Sequence, residues 1–261
     1  MRIALGLEYD GSAFCGWQSQ ASDCGVQDHL EKALSSLAAE RISVTAAGRT
    51  DAGVHASAQV VHFDTEAERP ESAWVRGTNS NVHPGVRVLW SHVTTPEFHA
   101  RYSALSRAYR YVLINHAVEP AIFRGRVGWC HRSLELAPME ESLRCLVGEH
   151  DFSAFRDAEC QAKSPVRNLM EARGERARDT FVFTFRANAF LHHMVRNIVG
   201  AAVYVGSGRK PVAWLAELLA SRNRSLAAPT FPPDGLYLTG VEYDPAFRLP
   251  AFRHAPWPAL G

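Results

Sequence analysis

The chain has 261 residues, 46% apolar and 21% charged, with a formal net charge of +1, the balance of an ordinary globular protein with enough chain for one large core or two small ones. Its apolar stretch from Ile198 to Val205 is far shorter than the roughly 20 residues that span a bilayer. The opening Met1-Arg2-Ile3-Ala4-Leu5-Gly6 runs straight into Glu8 and Asp10, without the longer apolar region and cleavage site of a secretory signal, so a cytoplasmic location is expected.

Alternation of Ile3, Leu5, Leu7 and Tyr9 predicts a strand over residues 2–10. A glycine-punctuated loop follows, Asp10 to Gly25. Val26, Leu30, Ala33, Leu34 and Leu37 then recur at helical spacing, with Glu31 and Lys32 outside. Residues 42–46 and 58–63 read as strands around a loop that holds Gly48-Arg49-Thr50-Asp51-Ala52-Gly53. A helix over 70–82 and a strand over 86–93 complete the order β-α-β-β-α-β, the ferredoxin-like arrangement. The pattern then repeats: a strand at 108–114, a helix at 137–146, paired strands at 166–173 and 180–187, an apolar helix at 190–205, a second at 211–220 with Pro211 in its first turn, and a strand at 236–243. The expected fold is α/β (α+β), two ferredoxin-like βαββαβ halves sharing one antiparallel sheet, with helices outside and an active-site cleft between. The halves are 1–105, carrying the glycine-flanked loop, and 106–261, with the boundary near 95–106. Four prolines in the 17 residues from Pro245 predict an extended tail.

Five cysteines (Cys15, Cys24, Cys130, Cys145, Cys160) are an odd number without a C-x-x-C pair, which argues against a disulfide framework or a thiolate zinc site. Of twelve histidines only His192 and His193 are adjacent, and neighbours on a helix make poor joint ligands; no metal site is expected. Only Lys32, Lys163 and Lys210 among the 28 basic residues are lysines. Residues 101–132 carry six arginines and one acid, net +5, whereas 133–160 carry seven acids and two arginines, net −5. A locally basic surface on a neutral protein can bind phosphates, although arginine richness has an equal explanation in genomic base composition.

The stretch Gly48 to Ala56, G-R-T-D-A-G-V-H-A, presents one carboxylate, Asp51, from a loop between strands, with Arg49 beside it and His55 four residues on. Glycines on both sides allow a tight turn and close approach to a ligand. An isolated D-x-G is more often a turn whose carboxylate bonds its own backbone. Tyr109 and Tyr111 alternate in a strand, where tyrosine is common in a core. Arg196, in the predicted apolar helix, must either find a partner or snorkel to the surface.

Several strings, in order, resemble the TruA-type pseudouridine synthase family: Tyr9-Asp10-Gly11-Ser12-x-Phe14-x-Gly16-Trp17-Gln18-x-Gln20, the Gly48–Ala56 motif, Gln59-Val60-Val61-His62-Phe63, Phe98-x-Ala100-Arg101, Arg107-x-Tyr109-Arg110-Tyr111, Gly148-x-His150-Asp151-Phe152, Phe190 to Gly200, and Gly235-Leu236-Tyr237-Leu238. One departure is Asn79 to Pro84, where the family usually has leucine-proline. The resemblance implies an isomerase that turns uridine into pseudouridine in the anticodon stem-loop of tRNA, on its 3′ side (tRNA positions 38–40). It implies Asp51 as catalytic nucleophile or base, Arg49 as the residue that helps extrude the target nucleotide, Tyr109 stacking on the uracil, and Arg196 paired with the aspartate. It also implies a homodimer with tRNA bound across both subunits. The reaction gains and loses nothing overall, so no cofactor is required. By charge density, Arg101, Arg107, Arg110, Arg124 and Arg126 are the expected phosphate contacts. The rival readings are a non-catalytic RNA-binding module of the same fold and a metal-dependent nuclease built on Asp10, Asp51 and His55; the nuclease lacks a second clustered carboxylate.

Overall fold

The computed structural model describes residues 1–252 as a mixed α/β chain. Its strands are β1 (Arg2–Tyr9), β2 (Thr45–Ala46), β3 (His55–Asp64), β4 (Val86–Thr94), β5 (Ala104–Asn115), β6 (Gly128–Cys130), β7 (Gly148–Asp151), β8 (Val166–Ala177), β9 (Thr180–Ala187) and β10 (Leu236–Tyr243). Its helices are α1 (Val26–Ala38), α2 (Glu71–Asn81), α3 (Leu136–Leu143), α4 (Met194–Gly206) and α5 (Trp214–Ser221). Among the described residues two compact units emerge, Met1–Leu105 with Tyr237–Phe252, and Ser106–Leu236. Among the described residues no helix is long and apolar enough to cross a membrane.

In the first unit β1 lies antiparallel between β4 and β3. The other edge of β3 is shared. Thr45 and Ala46 of β2 pair with His62 and Val61 at one end, and Tyr237 and Leu238 of β10 run parallel to His55 and Ala56 at the other. Grouping 106–261 as the second half therefore differs from the packing at this strand: β10 pairs with the end of β3 that the two-residue β2 leaves uncovered. β2 is shorter than the predicted 42–46 because α1 takes the preceding backbone donors. Ile42 N–H bonds Ser35 Oγ at 2.9 Å and Val44 N–H bonds Glu31 Oε1 at 2.9 Å. Glu31, expected to face outward, is thus a clamp.

Period-two alternation gives β1 two buried faces. On the face of Ile3 and Leu5, Phe63 of β3 meets Trp74 of α2 edge-on at 5.3 Å. On the other, Ala4 and Val60 join a cluster with Phe98 and Ala100, covered by Tyr243 and Phe247. The outer edge of β4 is blunted by α2 side chains, which satisfy strand donors that would otherwise invite another chain. Asn79 bonds Val88 through both its amide atoms at 2.8 Å, and Glu71 accepts from Val93 N–H. Asn79, where the sequence departs from the family pattern, therefore has a packing role. The tail is not wholly extended: Pro245–Phe247 form a 3-10 turn capped by Asp244, and residues 253–261 of the predicted extended segment lie outside the described residues.

The second unit orders its sheet β5-β9-β8-β7, antiparallel throughout, with β6 added parallel to β5. Phe181, Phe183 and Phe185 of β9 are buried, and α3 packs on α4 and β8. α4 is buried almost all round, as an apolar helix without a polar stripe should be. It begins at Met194, four residues after the predicted start, because His193 adopts φ 60° in the left-handed region and Met194 N–H closes a turn onto Leu191 O. α5 likewise begins at Trp214, whose N–H bonds Pro211 O. The predicted helix 137–146 divides into α3 and a 3-10 turn, Arg144–Leu146. β6 and β7 have no counterpart in the sequence reading.

Candidate active site

The loop before β3 is held at Gly48, Thr50, Asp51 and Val54. Gln59 Nε2 donates to Gly48 O at 2.7 Å. Tyr9 Oη lies 2.8 Å from Thr50 Oγ1. Trp17 N–H donates to Thr50 O at 2.9 Å, and Val54 N–H closes a turn onto Asp51 O at 3.1 Å. Gly53, at the third position of that turn, takes φ 79°, the conformation a type II turn needs and a side chain resists. Burial alternates: Arg49 exposed, Thr50 buried, Asp51 half-buried. Thr50 thus points inward and its two charged neighbours stay accessible.

The first loop, residues 10–25, supports this from one side. Gly16 sits at φ 102°, where a Cβ would come within 2.9 Å of Thr50 O. Its carbonyl accepts from Val26 N–H and that of Trp17 from Gln27 N–H, so the loop is tied to the free amides at the start of α1. Cys15 and Cys24 are joined by a disulfide within it. The sequence reading argued against a disulfide framework, and the single bridge forms because the loop doubles back, Cys15 N–H bonding Cys24 O and bringing the Cα atoms to 5.5 Å. Cys130, Cys145 and Cys160 are free thiols.

Asp10 and His55, two members of the nuclease alternative, brace the same loop. Asp10 Oδ1 accepts from Ser12 N–H and Oγ–H and lies 3.2 Å from His55 Nδ1. Gly11 N–H donates to His55 Nδ1, and the imidazole stacks on Tyr237 at 4.5 Å. Arg101, also in the first unit, is exposed with its guanidinium 5.6 Å from the Tyr102 ring centre.

In the second unit Tyr109 is 8% exposed and meets Phe190 edge-on at 5.0 Å. Tyr111, on the same strand face, is fully buried and donates to Pro232 O at 2.8 Å. Arg196 is half-buried; its Nε donates to Phe231 O, and Phe231 N–H returns a bond to Arg196 O. Next to it, Asn197 is buried and fully engaged, donating to Phe155 O and accepting from Arg224 and Thr230. His192 and His193 precede α4 rather than lying on it. Their rings are 3.9 Å apart, and their Nδ1 atoms lie 3.7 and 2.8 Å from Asp157. Hydrogen bonds from Glu159 N–H and His193 hold the Asp157 carboxyl below its ordinary range. Arg107 donates to Asn188 O from β5; Arg107 and Arg110 are half-buried, Arg124 and Arg126 exposed.

The sequence profile of the tRNA pseudouridine synthase family matches residues 7–103 and 143–244. The chain belongs to that family. It is 62% identical over 250 residues to a tRNA pseudouridine synthase A from Aromatoleum aromaticum, covering 96% of this chain and 95% of the relative. Proteins of the same name from Thiobacillus denitrificans and Methylobacillus flagellatus are 58% and 57% identical, each over 96% of both chains. Membership makes this an isomerase that forms pseudouridine in tRNA. Arg49, Asp51, Arg101 and Arg196 fall inside the matched spans; Arg107, Tyr109, Arg110, Arg124 and Arg126 fall between them. Sequence reasoning gave no role to Tyr9, Gln59 or Asn197. For Gln59 the signal was present, an amide beside the apolar pair Val60 and Val61 in a buried strand.

Proposed function

We propose that the chain isomerises uridine in the anticodon stem-loop of tRNA, on its 3′ side, with Asp51 as the catalytic carboxylate. The observation that carries this reading is the loop itself: a single accessible carboxylate on a backbone bonded at Gly48, Thr50 and Asp51. Isomerisation breaks the bond from ribose C1′ to uracil N1, turns the base and rejoins it through C5, from which a proton is lost as N1 gains one. A carboxylate serves it as nucleophile or as base, and the atoms balance without a cofactor.

The other roles rest on the family resemblance. Arg49, exposed beside Asp51, fills the gap left by the extruded nucleotide and offsets part of the few kcal/mol that unstacking costs. Tyr109 offers its ring to the freed uracil. Arg196 serves Asp51 as a charge partner, its planar fork suited to orienting a carboxylate. The arginines at 101, 107, 110, 124 and 126 bind backbone phosphates. The working form is a cytoplasmic homodimer. The test is nucleotide-resolution mapping of pseudouridine on an unmodified tRNA pool incubated with the protein. Signal confined to the 3′ side of the anticodon stem-loop is expected; signal elsewhere overturns the site assignment, and strand cleavage or binding without product overturns the activity.

A further inference from the structure

We propose that Gln59 and Tyr9 are positioning residues for the isomerisation, gripping the catalytic loop from beneath so that the Asp51 carboxylate is presented in one orientation. This rests on the reading of Asp51 as the catalytic group.

Gln59 lies opposite Leu7 in the β1–β3 register, and Tyr9 is two residues further along β1, so both project from the same sheet face. Gln59 is 0% exposed. A buried amide is costly unless both its ends are bonded, and both are. Its Oε1 accepts from Val60 N–H at 3.2 Å, while its Nε2 donates to Gly48 O at 2.7 Å and to Tyr9 Oη at 3.3 Å. Tyr9 Oη accepts from Gln59 and shares a second hydrogen bond with Thr50 Oγ1, 2.8 Å away. Burial pushes the Tyr9 phenol up to about 12, so the proton stays in place at any working pH.

The result is a hydrogen-bonded chain joining Gly48, Gln59, Tyr9 and Thr50 that fixes two alternate residues of the loop. Thr50 is drawn inward and buried, while its neighbours Arg49 and Asp51 stay exposed and half-buried. Trp17 N–H on Thr50 O fixes the same peptide from another direction. A core that needed only filling would be served by methionine and phenylalanine at 59 and 9; the hydrogen bonds act on the loop.

The test uses the full chain with saturating enzyme and unmodified tRNA, measuring single-turnover rate, tRNA Kd and melting temperature. Tyr9→Phe, Gln59→Met and Thr50→Val are each expected to slow turnover on the order of 10- to 100-fold, the size of effect that small misplacements of a catalytic group produce. Kd should stay within about threefold, because phosphate contacts elsewhere carry affinity. Thr50→Ser keeps the hydroxyl and should recover the rate to within about threefold. The Tyr9→Phe/Thr50→Val double variant should be no slower than the slower single variant by more than about threefold, since both remove the Tyr9–Thr50 bond. A purely structural role predicts otherwise: rate losses that track melting temperature and Kd, with Thr50→Ser as slow as Thr50→Val. That outcome, or normal turnover in Tyr9→Phe, Gln59→Met and Thr50→Val beside an inactive Asp51→Asn, overturns the proposal and leaves the Asp51 reading standing. An active Asp51→Asn overturns that reading itself.

Discussion

The loop at residues 48–54 and the stretch at 116–126 are both irregular chain rich in charge or glycine, yet they are built in opposite ways. In the first, the carbonyls of Gly48 and Thr50 and the Thr50 hydroxyl are engaged from β3, the first loop and β1, and the inward residues are buried. In the second, His116 is tied to β6, its N–H bonding Cys130 O and its carbonyl accepting from Trp129 Nε1–H, and beyond it the backbone closes local turns, Arg124 N–H onto Ala121 O and Arg126 N–H onto Phe123 O. Its side chains stand out, Val118 at 68% and Ile122 at 89% exposure. The difference fits the work proposed for each. A carboxylate in bond rearrangement must be held to within a fraction of an ångström, whereas an arginine meeting a phosphate acts through a field that tolerates displacement and salt-dependent exchange. Few buried contacts also place the second stretch among the segments that open at low free-energy cost.

Substitutions can break this contrast. The largest effect is expected at Asp51. Asp51→Asn should lower single-turnover rate by at least about 1000-fold, roughly 4 kcal/mol of barrier, with tRNA Kd nearly unchanged; residual turnover within about tenfold of the parent would contradict the assignment. Next comes Tyr109→Leu. Loss of a stacked base at about 1–3 kcal/mol corresponds to roughly 5- to 150-fold in rate, and Tyr109→Phe should restore it. Equal loss of binding and turnover in Tyr109→Leu, with disturbed circular dichroism, would return the ring to a purely structural place in the core.

Smaller and different in kind are Arg124→Ala and Arg126→Ala. Each true phosphate contact removed should flatten the slope of log K against log salt by about 0.7 to 0.9, while turnover with saturating enzyme stays normal. An unchanged slope means that this stretch faces away from the RNA. The smallest effect concerns stability in the rigid unit. Burial, then the nearby His99 and Arg2, depress His62 to about 4, and its Nδ1 accepts from Ala100 N–H at 3.1 Å. As pH falls below the ordinary value near 6.5, the unfolded chain takes up this proton first. The contribution of His62 is therefore complete above about 6.5 and is lost progressively as pH falls towards 4. His62→Asn keeps an acceptor but not the titration, so its melting temperature should decline less between pH 7 and 4.5. Parallel declines would remove His62 from the acid sensitivity.

Much of the architecture was legible because the cues were local. Ile3, Leu5 and Leu7 alternate, and they form β1; Val26, Leu30 and Leu34 repeat at helical spacing, and they line the buried side of α1. Asp51 stood out through the family resemblance of its motif, since an isolated D-x-G is more often a plain turn. What failed locally had a tertiary cause. Residues 42–44 have strand-like side chains but surrender their donors to Ser35 and Glu31 of α1. Residues 190–193 carry the helical pattern yet stay outside α4, since His193 turns left-handed and His192 and His193 both face Asp157, which lies 36 residues before His193.

By itself the sequence determined the family and most of the succession of strands and helices, because motif order and hydrophobic period are properties of neighbouring positions. Only the tertiary structure decided what Gln59 and Tyr9 do, that Cys15 meets Cys24, and that β10 pairs with the open end of β3. Each of these depends on a hydrogen bond or a sulfur pair between residues that are not local neighbours in a helix or strand. Whether such a pair forms is settled by which backbone groups the surrounding strands and loops leave unpaired, which no pattern of side chains along the chain records.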